Sequence, residues 1–180
     1  MIKKISMANK VENHVSNQKQ IDKLKNITEK SIYIALEEKG LIFNDNFAFH
    51  QKIDNILFNE RKKHDVDLVL TSRNGDRLYV EIKGQMTYLE VNKLKYLLGL
   101  RRNFYILQLT EIDWIQPYDA NGNISKFQKS KDDFQTQINE LVGFVNGGVT
   151  GEHLKQKSKE RLENWINYRA TDIERWKSLR

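Results

Sequence analysis

The chain has 180 residues, enough for one domain that buries about two-thirds of the surface its unfolded form exposes. Hydrophobic residues make up 39% and charged residues 30%, and 30 Lys+Arg against 24 Asp+Glu give +6, a balance that suits a polyanionic partner without requiring one. The absence of cysteine excludes disulfides and thiolate metal sites, and no apolar run approaches the roughly 18 residues that span a bilayer.

Residues 1–17 are polar and weakly periodic, and a flexible lead-in is expected there. They carry lysines but no apolar h-region, so the expectation is a cytoplasmic protein without a secretory leader. From Gln18 to Lys39 the pattern is helical, with Ile21, Leu24, Thr28, Ile32, Ala35 and Leu36 at three- and four-residue steps. Gly40 stands where a C-cap glycine belongs. Glu29 lies at the edge of the apolar stripe, and spacing alone makes it a solvated side chain. Leu41 to Phe43 and Phe47 to Phe49, separated by Asn-Asp-Asn, read as a first strand or a bend, and residues 51–59 extend it or form a loop. Arg61-Lys62-Lys63-His64 reads either as a solvated connection or as a phosphate-contacting run. A lone histidine in such a run is expected to be exposed.

The next stretch carries the chemistry. Asp65 to Leu70 and Tyr79 to Gly84 are apolar runs joined by Arg73-Asn74-Gly75-Asp76-Arg77, a β-hairpin pattern. Side chains alternate across a strand, so Tyr79, Glu81 and Lys83 share a face, with Glu81 and Lys83 about 7 Å apart. Asp67 lies on the partner strand. Taken alone, Glu-x-Lys is what any amphipathic strand with a surface Glu and Lys shows. Here it closes an apolar strand, and an Asp opens the preceding one, so two carboxylates and an ammonium can converge at one end of the sheet. Two such oxygens suit Mg²⁺, which takes one or two carboxylates and fills its shell with water and phosphate. The lysine would then orient the attacking water or stabilise charge on the phosphate.

Gly84 to Leu100 reads as a helix, with Tyr88, Val91, Leu94 (or Lys95) and Leu98 at helical spacing and Gly99 ending it. Asn103 to Thr110 is a compact apolar strand of the kind found buried or parallel. Ile112 to Tyr118 would add another strand. From Lys126 the chain is helical, with a stripe of Phe134, Ile138, Leu141 and Val145 that breaks at Asn146-Gly147-Gly148, a hinge or a tight corner. Glu152 to Tyr168 is a second helix with Leu154, Leu162, Trp165 and Ile166 on its apolar side. Thr171-Asp172-Ile173-Glu174 has capping-box spacing and is expected to restart a short helix. The tail aromatics would complete the core, face a second subunit or touch DNA. No phosphate-binding glycine motif, zinc-type histidine spacing or nucleophile elbow is present.

Asp67 followed by Glu81-Ile82-Lys83 resembles the signature of the PD-(D/E)XK nuclease superfamily, with Val66 where a proline is usual. Glu29 to Gly40 is similar to the first helix of its Holliday-junction-resolvase-like branch, in which a glutamate precedes an Ala/Tyr/Leu stripe and a glycine. The resemblance implies an α/β fold, a restriction-endonuclease-like α-β-β-β-α-β core with a mixed central sheet flanked by helices. That core would occupy residues 18–125, with a helical C-terminal extension over 126–180. It implies Mg²⁺, replaceable by Mn²⁺, on Asp67, Glu81 and the backbone carbonyl of Ile82. Lys83 would serve the attacking water, and Glu29 would assist through a water or a second metal. Gln85 and Lys93, from the helix after the Glu-x-Lys strand, would reach back towards the site.

The expected activity is that of a Mg-dependent deoxyribonuclease, an endonuclease of restriction, mobile-element or junction-resolving type. The alternatives are a catalytically silent DNA-binding or structural module and an RNA-directed nuclease. The expected partner is DNA, held by Arg61, Lys62, Lys63, Gln85 and Lys93. A homodimer through the Trp165, Ile173, Trp176 and Leu179 side of the tail is expected, because one metal site cuts one strand at a time.

Overall fold

The computed structural model describes residues 27–58, 61–83, 88–108 and 126–178. The side chains of residues 27, 55–58, 61–63, 88–89, 126–132 and 168–178 lie outside that description. The expected lead-in, the first turns of the first helix, the strand at Ile112 to Tyr118 and Gln85 fall outside the described residues. The chain divides into two compact units, Met1–Asp45 and Asn46–Arg180.

In the first unit, α1 spans Ile27–Glu38. Its stripe residues Ile32, Tyr33, Ala35 and Leu36 are buried, as the spacing predicts. The helix ends in a Schellman arrangement: Leu41 N–H donates to Leu36 O at 3.1 Å and Gly40 N–H to Glu37 O at 2.8 Å. This closure needs a left-handed residue at position 40, and Gly40 supplies it at φ 85°. Leu41 to Phe43 forms none of the described strands, although Phe43 makes a single β-bridge, and the chain bends through Asn44 at φ 65°.

The second unit is built on a four-stranded mixed sheet in the order β1 (Phe47–Phe58), β2 (Arg61–Thr71), β3 (Arg77–Lys83), β4 (Phe104–Gln108). The β1–β2 and β2–β3 pairs are antiparallel, and β3–β4 is parallel. A parallel pair needs a crossover, and α2 (Tyr88–Gly99) provides it. Residues 51–58 thus extend the first strand, and Arg61 to His64 belong to β2 and not to a connection.

The expected hairpin is present. Its loop is closed by Ser72 N–H to Asp76 O at 2.8 Å, and Ser72 Oγ accepts from the amides of Asn74 and Asp76. Leu68, Leu70, Leu78 and Val80 are wholly buried on one face. On the other, Val69, Phe104 and Ile106 pack with Val91, Leu94, Leu97 and Leu98 of α2.

Two further helices follow, α3 (Lys126–Val145) and α4 (Gly151–Ser178). The stripe residues Ile138, Leu141 and Val145 are buried. The glycine pair after α3 is a capped corner, with Gly148 N–H donating to Gly143 O at 2.8 Å. Thr150 then caps α4, its Oγ1 accepting from His153 N–H at 3.2 Å. Contrary to the expected restart at Thr171, α4 runs unbroken to Ser178. Nothing in Thr171 to Glu174 breaks a helix, since neither proline nor glycine occurs there.

Leu162 joins the core, and Trp165 and Ile166 pack against it. Trp165 is therefore spent on the chain's own core, the first of the roles expected for the tail aromatics. Ile173 and Trp176 have side chains outside the described set, as does Leu179 altogether.

Among the described strands β4 lies at the edge, and side chains from the two C-terminal helices cover that edge. Ser158 Oγ, fully buried, accepts from Ile106 N–H at 2.9 Å and donates to Leu154 O at 3.1 Å. Gln137 receives Gln108 N–H on its Oε1 at 2.9 Å and returns its Nε2 to Gln108 O at 2.8 Å. The amide of Gln137 thus replaces a neighbouring strand, which satisfies backbone groups that burial would leave orphaned.

Candidate active site

The site forms where the β2–β3 ladder stops. The last pairs are Leu70↔Leu78, Val69↔Tyr79 and Leu68↔Val80, so Asp67 and Glu81 are the next opposed positions. There the carboxylate of Asp67 takes the place of a backbone acceptor: its Oδ2 accepts Ile82 N–H at 2.8 Å. Beyond this point β3 continues beside β4, with Glu81↔Ile106, Ile82↔Leu107 and Lys83↔Gln108. Within a strand, a residue's N–H and C=O point to the same side, so the Ile82 carbonyl also faces the gap that Asp67 occupies.

Glu81 is 1% exposed, the most deeply buried charged residue of the described set. Its Oε1 lies 2.7 Å from His64 Nε2, and its Oε2 lies 3.1 Å from Lys93 Nζ and 3.6 Å from Lys83 Nζ. Lys83 Nζ is also 3.7 Å from Glu90 Oε1. Glu90 and Lys93 are one turn apart on α2, so the helix brings both side chains to the same end of the sheet.

The two carboxylates are held in opposite protonation tendencies. Burial, and then the nearby Glu81 charge, push the Asp67 carboxyl above the usual aspartate range, and the hydrogen bond from Ile82 N–H only partly offsets this. For Glu81, burial acts upward too. The His64 hydrogen bond, together with the charges of Lys93, His64 and Lys83, outweighs it and holds the group below the usual glutamate range.

The structure brings together Asp67, Glu81, Lys83 and Lys93, four of the expected site residues, and adds two more. His64 is a correction: it is mostly buried on β2 and bonded to Glu81, not exposed in a loop. Period-2 reasoning could not find it, because residues 64 and 67 of a regular strand face opposite sides. The strand is irregular here. Register between β1 and β2 skips the position of Asp67, opposite His50, and His50 has φ 52°. Glu90 carries no motif, and only the packing of α2 reveals it. Arg61, Lys62 and Lys63 lie on β2, with side chains outside the described set. Glu29 occupies the first turn of α1 in the other unit, and its role rests on the resemblance alone.

Among the described residues, no three His, Asp or Glu side chains are grouped as a metal cluster, and none of the helices is long and apolar enough to cross a membrane. His64 Nε2 is paired with the Glu81 carboxylate at 2.7 Å. No protein-family model matches the chain, and neither a curated protein nor a solved structure matches it.

Proposed function

We propose that the protein is a Mg²⁺-dependent deoxyribonuclease, an endonuclease hydrolysing phosphodiester bonds on a restriction-endonuclease-like core of the PD-(D/E)XK kind. One observation carries this reading: Asp67 and Glu81 are opposed at the open end of the β2–β3 ladder, with Lys83 two residues further along β3. The order α-β-β-β-α-β and the mixed sheet are compatible with it.

The donors present fit a hard divalent ion. Asp67 spends Oδ2 on Ile82 N–H and keeps Oδ1 unbonded among the described residues, Glu81 offers Oε2, and Ile82 offers its carbonyl. These are oxygen ligands, which Mg²⁺ and Mn²⁺ accept with water completing the shell. The bound ion would polarise the phosphate and acidify a water. Lys83, held between Glu81 and Glu90, would orient that water or meet charge developing on the phosphate. The positive balance of the chain favours a polyanionic substrate.

A second reading, a DNA-binding or structural module without chemistry, is favoured by the fact that both oxygens of Glu81 already have cationic or hydrogen-bonding partners. Incubation with supercoiled, linear and branched DNA, in Mg²⁺ or EDTA, separates the two. Cleavage is expected in Mg²⁺ alone, and Asp67→Ala, Glu81→Gln and Lys83→Ala should each lower it by about a hundredfold or more. Removing a carboxylate should weaken metal binding, whereas Lys83→Ala should leave it intact. Wild-type activity in Asp67→Ala with unchanged Mg²⁺ dependence would overturn the assignment.

A further inference from the structure

Glu81 presents its two oxygens to different groups. Oε1 is fixed by His64 at 2.7 Å, which leaves Oε2 as the oxygen that faces the lysines. Those lysines are not equivalent. Lys83 is shared between two carboxylates, Glu81 at 3.6 Å and Glu90 at 3.7 Å, and its side chain is 14% exposed. Lys93 contacts Glu81 alone among the described carboxylates, at 3.1 Å, and its side chain is 25% exposed at the end of a flexible four-carbon stem.

A Mg²⁺ ligand oxygen sits about 2.0–2.1 Å from the ion, so a divalent ion and an ammonium on the same oxygen would be close like charges in a poorly screened place. One of the cations must leave. Lys83 keeps a second carboxylate if Glu81 is taken from it, and Lys93 does not.

We propose that Lys93 is a built-in place-holder for the metal: its ammonium neutralises Glu81 in the metal-free protein, yields that oxygen to a divalent ion, and is thereby freed to bind a phosphate of the DNA strand. The proposal rests on the reading of Asp67 and Glu81 as metal ligands. It couples the two binding events, since the ion releases the cation that receives the substrate. A lysine with a merely structural role would behave differently. Its removal would loosen Glu81 and weaken metal binding, whereas removal of a place-holder removes a competitor and strengthens it.

The test is Mg²⁺ binding by calorimetry on the DNA-free protein. Lys93→Met and Lys93→Gln should bind Mg²⁺ about tenfold more tightly than wild type, and Lys93→Arg, which keeps the charge, should not. In the same two variants turnover on DNA should fall while the Mg²⁺ concentration it requires also falls. In the wild type, the Lys93 ammonium signal in ¹⁵N NMR, identified by its loss in Lys93→Arg, should shift as Mg²⁺ is added.

Folded Lys93→Met and Lys93→Gln that bind Mg²⁺ no more tightly than wild type, with Glu81→Gln unable to bind it, would overturn the place-holder and leave the metal site standing. Should both Lys93 variants fail to fold, a Lys93 signal unmoved at saturating Mg²⁺ would overturn it equally. Wild-type protein that binds no Mg²⁺, or Glu81→Gln that binds it as wild type does, would remove the metal reading and the place-holder with it.

Discussion

Asp67→Asn and Glu81→Gln should have opposite effects on stability, although the proposed cleavage would need both carboxylates. Glu81→Gln keeps the shape of the side chain but removes the charge that His64, Lys93 and Lys83 surround. Loss of charge-assisted hydrogen bonds costs about 1.5–3 kcal/mol, and breaking a buried pair costs about 3–5 kcal/mol, so a loss of about 3 kcal/mol is expected. For a chain of this length that lowers Tm by about 6–12 °C, at about 2–4 °C per kcal/mol. Asp67→Asn retains an oxygen that can accept Ile82 N–H and removes a half-buried negative charge repelled by Glu81. Solvent screens its exposed side, so a gain of about 1 kcal/mol, the scale of a typical stabilising change, is expected.

The pH dependence follows the same signs. The raised Asp67 group binds its proton more tightly when folded, so its cost is present above the raised value and disappears below the unfolded aspartate value. The lowered Glu81 group stabilises above the unfolded glutamate value, and that contribution is lost as pH falls through its lowered folded value. Thermal unfolding in EDTA at pH 7 should place the Asp67→Asn Tm above wild type and Glu81→Gln below it. The Asp67→Asn advantage should vanish by about pH 3, below the unfolded aspartate value. Shifts of the same sign in the two variants at pH 7 would refute the electrostatic account of the pair.

Two further outcomes concern the frame that holds the site. Gln137→Leu should destabilise by about 2–4 kcal/mol, because Gln108 N–H and C=O lose their partners at a covered sheet edge, and urea unfolding with amide exchange at Gln108 will show it. Gly151→Ala should cost about 1–3 kcal/mol, since an added Cβ would stand 2.5 Å from Asn103 Nδ2 and 3.0 Å from its Cβ, and a Tm equal to wild type would contradict that close approach.

Local rules determined much of this chain. The hairpin was legible because Asn74-Gly75 sits between two alternating runs, and Gly75 adopts φ 84° as such a loop requires. The end of α1 was legible in Gly40, and a buried or parallel strand in the unbroken apolar run from Phe104 to Leu107. The convergence of Asp67, Glu81 and Lys83 was legible because period 2 and hairpin register together set which residues face one another. What escaped were features that no local period encodes. Residues 51–54 expose Gln51, Lys52 and Asp54 around a buried Ile53, so the middle of β1 carries too few apolar positions to read as a strand. His64 reaches Glu81 only because the β1–β2 pair departs from regular alternation at His50 and Asp67. Ser158 and Gln137 look like ordinary polar helix residues until packing carries them to the edge of β4. Lys93 was named through the resemblance and not by its spacing, which fits any solvated helix face, and its Glu81 partner comes from the parallel crossover that lays α2 over the end of β3. The sequence determined which residues each element offers. Tertiary structure alone decided which buried charge they would share, because a buried carboxylate must find its partners through space and not along the chain.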